Sequence, residues 1–252
     1  MDFEGHFEGN SFIHKTNPTI RVVTTLLLSF VIALLTSLNA LFTSLLVSII
    51  LVFLAELSLL KVSKNLMVFA GFIALIWIVL PFTIKGETLF HLWILKFSYE
   101  GLMLCLRITI KSFSIILVFN ALISTMNFSV LGAAMQSLKV PLKVVYLFLM
   151  TFRYISVLED EYKRLVTASK IRGFKAGVNI LTYKTYGNIL GMLFVNANLR
   201  GNRVYNAMLC RGFDGRFHTL QVLSRSIKDY FFAFVMFMLI MIIVYLEYLN
   251  KV

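Results

Sequence analysis

Five stretches of this chain run apolar for about the width of a bilayer, and short polar steps separate them. A spanning helix needs about 20 apolar residues, within a range near 17–25. Ile20 to Leu57 is too long for one span, and the polar step Thr36-Ser37-Leu38-Asn39 divides it into spans over about 20–36 and 40–57. Further spans follow at about 66–84, 101–124 and 229–249, the last reading DYFFAFVMFMLIMIIVYLEYL. The segment 125–228 has a different pattern, apolar at first and then charged. The fold predicted is an all-α integral membrane protein with about five transmembrane helices and one long cytoplasmic insertion. Its parts are an N-terminal segment 1–19, helices one to four within 20–124, the insertion 125–228, and the last helix with the C-terminus, 229–252.

Composition agrees with a membrane protein. Of the 252 residues 59% are hydrophobic and only 14% charged, against about 25% charged in soluble domains. The formal net charge is +12, from 24 Lys and Arg against 12 Asp and Glu. A basic total fits nucleic acid, anionic lipid or an acidic partner, so the position of the charge decides. The insertion 125–228 holds 15 Lys and Arg against four acids (Glu159, Asp160, Glu161, Asp214), a net of +11. By the positive-inside rule the N-terminus and the insertion are cytoplasmic, with Lys15, Arg21, Lys61 and Lys64; the other side receives Lys85, Lys96 and Lys251. That location favours anionic lipid headgroups and protein partners over nucleic acid. The acidic start MDFEGHFEGN is not read as a cleavable signal peptide. Two cysteines, Cys105 and Cys210, do not make a disulfide framework.

Within the insertion two long helices are predicted. From Pro141 to Arg172 the chain has no internal Pro or Gly, and Pro suits a helix start. Glu159 with Lys163, and Asp160 with Arg164, are acid-before-base pairs at i,i+4. At 1.5 Å per residue this helix is roughly 48 Å long. A second helix covers about Lys184 to Arg211. Its Gly187 and Gly191 have the small-xxx-small spacing that lets another helix backbone approach; a helix crossing there and a coincidental pair of glycines both fit.

Both helices end in the same phrase, ASKIRGF at 168–174 and AMLCRGF at 207–213. Gly173 and Gly212 suit the left-handed residue that closes a helix, and Phe174 and Phe213 the apolar residue that folds back on the last turn. Arg172 and Arg211 sit at the negative ends of their helix dipoles. A helix stop does not require Arg twice, nor Ala168 and Ala207 one turn earlier. A small residue beside a charged tip fits a helix end that enters a groove, and two equal tips fit a partner with two equal grooves.

At this point the sequence resembles the transmembrane T components of energy-coupling factor transporters, and within them the cobalt-type CbiQ branch. The resemblance rests on the paired Arg-Gly motifs and on NPTIRVVTTLLLSF, FRYISVLEDEYKRLVTASKIRGF and NRVYNAMLCRGFDG, and covers the chain from about Asn17. One departure is that the family usually writes Ala-Arg-Gly where this chain has Ile171 and Cys210 before the arginines. The resemblance implies a non-enzymatic coupling subunit in a bacterial or archaeal cytoplasmic membrane. It implies as partners two cytoplasmic ABC-type ATPases, which bind ATP and Mg, and a membrane subunit that binds the substrate. Ala168, Arg172, Gly173 and Phe174, with Ala207, Arg211, Gly212 and Phe213, would dock the ATPases. Cobalt is the expected cargo, with nickel or a vitamin as alternatives.

Other chemistry is weakly represented. No G-x-x-x-x-G-K-[ST] loop occurs, so no nucleotide is expected on this chain. The four histidines are scattered without metal-ligand spacing, and DFEGHFE reads as a flexible terminus rather than a metal site. Adjacent acids in EDE, 159–161, point in different directions and read as a solvated face. Arg107 and Lys111 lie one turn apart in the fourth span, where a central charge costs about 2.5–3.5 kcal/mol. They are candidate contacts with the substrate subunit or an acid such as Glu56, or cations that snorkel to the interface. Two further classes are a lipid-modifying membrane enzyme, for which the chain offers only Asp214 close to a motif, and a passive anchor, which would bind the ATPases but leave their activity unlinked to transport.

Overall fold

Each of the five apolar runs is a helix in the computed structural model, which describes residues 16–57, 59–83, 88–92, 95–213 and 227–250. The order is α1 (Pro18–Leu34), α2 (Leu38–Leu54), α3 (Leu59–Thr83), the strands β1 (Thr88–Leu92) and β2 (Leu95–Ser98), α4 (Tyr99–Leu122), α5 (Phe128–Ser137), α6 (Leu142–Ile171), α7 (Ile180–Cys210) and α8 (Ile227–Leu249). The antiparallel pair β1–β2 was not expected from the sequence. The chain forms two compact units, one of residues 1–134 with 222–252 and one of residues 135–221.

In the first unit α1, α2, α4 and α8 pack around Leu28, Ile32, Leu41, Leu122, Met236 and Ile243, all essentially sealed from solvent. Their outward faces are apolar as well: Phe30, Phe53, Phe72 and Phe231 are each more than 60% exposed. Helices hydrophobic all round belong in a large core or a bilayer, and here the greasy residues face outward. α4 and α8 are long and apolar enough to cross a membrane; α1, α2 and residues 66–81 of α3 are shorter apolar helices. Buried Ser44 and Ser48 donate to the carbonyls of Leu41 and Leu45 within their own helix, so neither hydroxyl is left unsatisfied.

α3 and α4 meet closely at one point. A Cβ on Gly101 would stand 2.9 Å from the Pro81 Cα, so only glycine fits there without a shift. Asn17 caps α1, its side chain accepting from the Thr19 N–H at 3.0 Å, with Pro18 at the first helical position. Both features agree with the NPT start of the first span.

The second unit is built on α6 and α7, of 30 and 31 residues, each about 45 Å long by the helical rise. Glu159 and Lys163 close the expected ion pair at 2.9 Å; Asp160 and Arg164 do not close theirs. Val145, Thr182 and Ile189 are the buried residues of the pair. So few fit a two-helix arrangement that leaves most of each helix surface open.

Candidate functional site

The two Arg-Gly helix ends are built alike. After α6, the Gly173 N–H donates to the Lys170 carbonyl at 3.0 Å and the Phe174 N–H to Ser169 at 3.1 Å. After α7, the Gly212 N–H donates to Leu209 and the Phe213 N–H to Met208, both at 3.0 Å. Each end thus carries the paired 5→2 and 6→1 bonds of a Schellman closure. The glycines have φ of +89° and +79°, a left-handed conformation in which a side chain is strained. Arg172 and Arg211 are exposed at the two ends, as are Ala168 and Ala207.

The phenylalanines also make contacts that helix-end spacing does not specify. Phe174 meets Tyr186 of α7 edge-on, with ring centres 5.7 Å apart. Phe213 meets Tyr146 of α6, also at 5.7 Å. Each helix therefore ends against the beginning of the other, and α6 and α7 run antiparallel. Midway, Glu161 accepts from Asn196 Nδ2 at 3.1 Å and pairs with Arg200 at 3.7 Å. From Tyr186, beside the first tip, to Cys210 at the second, α7 rises about 36 Å. Arg172 and Arg211 stand at opposite ends of one helix pair.

The crossing expected at Gly187 and Gly191 is not found there. A Cβ on either would meet nothing within 4 Å. At 100° per residue both lie on the side of α7 opposite Ile189, which is buried while they are exposed. Phe194 and Tyr205 share that open side. Spacing alone identifies a small-residue face, but not what that face meets.

The charges of the first unit have a different use. Lys111 Nζ donates to the Ala33 carbonyl at 2.8 Å, in the last turn of α1. Arg21, on α1, donates to the Leu122 carbonyl at the end of α4 at 2.6 Å, and to Thr125 Oγ1. The antiparallel helices α1 and α4 thus cap each other's C-termini with cations, where the macrodipole favours them. The acids of α8 do the converse. Asp229 accepts from the Asn17 N–H at 2.8 Å, at the start of α1. Glu247 accepts from the backbone N–H of Thr36 and of Ser37, each at 3.0 Å, and from both hydroxyls, at the start of α2.

Two expectations change as a result. Lys111 is engaged within the chain, level with the end of α1. Glu56 follows α2 at its far end, about 27 Å by rise from Ser37, and is not the counter-ion of Arg107 or Lys111. Arg107 differs from its neighbour: its Nε is buried and has no hydrogen-bond partner among the described residues.

Glu161, Arg21, Asp229 and Glu247 were missed as structural residues. For Arg21, Asp229 and Glu247 an acid or base within or at the edge of an apolar span was the available signal; Glu161, in the charged run EDEYKR, offered none. Among the described residues no three His, Cys, Asp or Glu come together as metal ligands; the DFEGHFE start and Asp214 lie outside them. Glu159, hydrogen-bonded to and charge-paired with Lys163, titrates below the ordinary carboxylate range, and the same contact raises Lys163.

Comparison with known proteins agrees with this architecture. The family model of the cobalt transport protein CbiQ matches residues 9–223. The energy-coupling factor transporter transmembrane protein EcfT of Ruminiclostridium cellulolyticum is 27% identical, covering 91% of this chain and 94% of that protein. The EcfT proteins of Streptococcus equi, 27% identical over 83% of this chain and 82% of its own, and of Leuconostoc gelidum, 25% identical over 81% of each, are similar too. The chain belongs to the CbiQ cobalt transport protein family and is a transmembrane component of energy-coupling factor type, a transporter subunit and not an enzyme.

Proposed function

We propose that the chain is the coupling subunit of an ATP-driven importer, with cobalt as cargo. It spans the cytoplasmic membrane five times with its N-terminus inside, an orientation supported by the basic insertion. Arg172 and Arg211 each dock into one of two cytoplasmic ATPases, with Ala168 and Ala207 leaving room beside the guanidinium. ATP and Mg2+ are bound by those partners.

The observation that carries the reading is the pair of identically closed, exposed arginine tips at opposite ends of one helix pair. A separation of about 36 Å exceeds the width of a small domain, roughly 30 Å, so each tip suits a separate subunit. The tips belong to different helices. Drawing them together as the ATPases close slides α6 along α7, a shear motion of packed helices. Little opposes that motion beyond the aromatic contacts at the ends and the polar contact at Glu161.

The substrate-binding membrane subunit then rides on the open side of α7, where Gly187 and Gly191 leave room for a second helix ahead of Phe194. Arg107 is the candidate contact for the same subunit within the membrane, through a partner acid or carbonyl. The cargo ligands lie on that subunit. Cobalt rests on the description of the family.

The test is metal accumulation in cells carrying the complete complex. The double variant Arg172→Ala with Arg211→Ala is expected to abolish uptake while the chain still inserts. Loss of one member of a desolvated charge pair typically costs about 2–5 kcal/mol. Undiminished cobalt uptake by the double variant would reject the docking role; uptake of another substrate and not cobalt would reject the cargo alone.

A further inference from the structure

Beside the first arginine tip, α6 and α7 diverge enough to leave a groove of about 550 Å3. Leu165, Leu181, Ile189 and Met192 give it an apolar lining, and Arg172 and Phe174 line it where α6 ends. Leu181 is 71% and Met192 52% exposed, so apolar surface stands open next to the charge. From residue 165 to 192 the chain carries Lys170, Arg172, Lys175 and Lys184 and not one Asp or Glu. A basic surround with an apolar lining selects an occupant that is acidic outside and carries a large apolar side chain. Charge guides such a segment in, and an anchor side chain filling a pocket is where interface energy concentrates.

We propose that this groove receives an apolar anchor side chain from an acidic segment of the ATPase, next to the acid that pairs with Arg172. The inference rests on the reading of Arg172 as a docking residue and extends it. The first tip then holds its ATPase by a charge pair and a filled pocket together. Burial of one large apolar side chain changes affinity about tenfold to a hundredfold.

The experiment measures binding of the purified ATPase pair to the full-length chain in detergent. Thr185→Trp fills the groove from its wall, and Leu181→Lys places a charge on its exposed lining at a position whose fold cost is small. Each is expected to weaken ATPase binding about tenfold or more, while Tyr162→Ala, outside the groove, binds as the parent does. Groove variants that bind like the parent, alongside an Arg172→Ala variant that has lost binding, overturn the groove and leave the docking residue standing. Full binding by Arg172→Ala as well overturns both.

Discussion

Arg21 and Arg172 are the same side chain in two settings. Arg21 is 2% exposed and donates to the end of α4 and to Thr125. Arg172 stands exposed at the end of its own helix, and its guanidinium has no ion pair or hydrogen bond among the described residues. The contrast extends to their units. In the first, Arg21, Lys111, Asp229 and Glu247 each complete a neighbouring helix end with charge of the favourable sign. In the second, the tip arginines are not needed to hold α6 or α7, whose ends are closed by glycine backbone. Arg21 is held by the fold at a helix end; Arg172 is a charge the fold does not use and is available for a partner.

The largest effect follows from exchanging those roles. Arg21→Met leaves the Leu122 carbonyl and Thr125 without their donor in an apolar setting. It is expected to lower stability in detergent by about 1–3 kcal/mol, read as a fall in the unfolding temperature. Arg172→Met is expected to leave that temperature nearly unchanged, as exposed substitutions do within about 0.5 kcal/mol, while weakening ATPase binding. Equal destabilisation by the two variants would erase the distinction between the units.

A second pair of substitutions sharpens it. Glu247→Ala strands two backbone N–H groups and two hydroxyls at the start of α2, again at about 1–3 kcal/mol. Glu247→Gln, which keeps an acceptor oxygen, is expected to recover part of that loss, and a thermal shift series would show the order. Among the glycines, Gly101→Ala must displace the Pro81 backbone and is expected to cost about 1–3 kcal/mol. Gly173→Ala and Gly212→Ala meet open space and carry only the backbone strain of a left-handed residue, about 1–2 kcal/mol. Gly187→Ala and Gly191→Ala, with neither crowding nor positive φ, are expected to leave stability unchanged or slightly raised.

The difference between the units also governs how much could be read from the chain. Spans and helix ends are local: hydrophobic run length located α1, α2, α4 and α8 within three residues, and the repeated Arg-Gly-Phe phrase located both stops. α3 begins well before the apolar window because Lys61 and Lys64 break the run without breaking the helix. What a residue touches across the fold was far less legible. Phe174 and Phe213 obeyed the spacing of a helix cap, but their ring contacts with Tyr186 and Tyr146 across the helix pair could not be read from it. Gly187 and Gly191 kept the spacing of a crossing but face away from α6. Lys111 looked like an intramembrane anomaly because the carbonyl it satisfies is 78 residues away in sequence. Those pairings depend on helix rotation and register, which hydrophobic periodicity leaves undetermined when every face is apolar.

The smallest effect belongs to the interaction that sequence spacing identified most directly. Glu159 and Lys163 pair at 2.9 Å, but their side chains are 38% and 62% exposed, so water and salt screen the attraction. Glu159 is held below its unfolded pKa, near 4.3; its contribution is present above that value and fades as pH falls through the lower folded one. Lys163 is held above its unfolded pKa, near 10.4, and its contribution is present below that value and lost as pH rises through the higher folded one. Between about pH 5 and pH 9 the pair is therefore expected to add nothing that varies. Glu159→Gln should leave the unfolding temperature within error at neutral pH. Glu161→Gln, two residues along, changes the carboxylate that meets Asn196 and Arg200 and should produce the larger shift. A larger fall from Glu159→Gln than from Glu161→Gln would mean that α6 depends more on its own surface pairs than on its contact with α7, and the Glu161 contact would not be a restraint on the proposed shear.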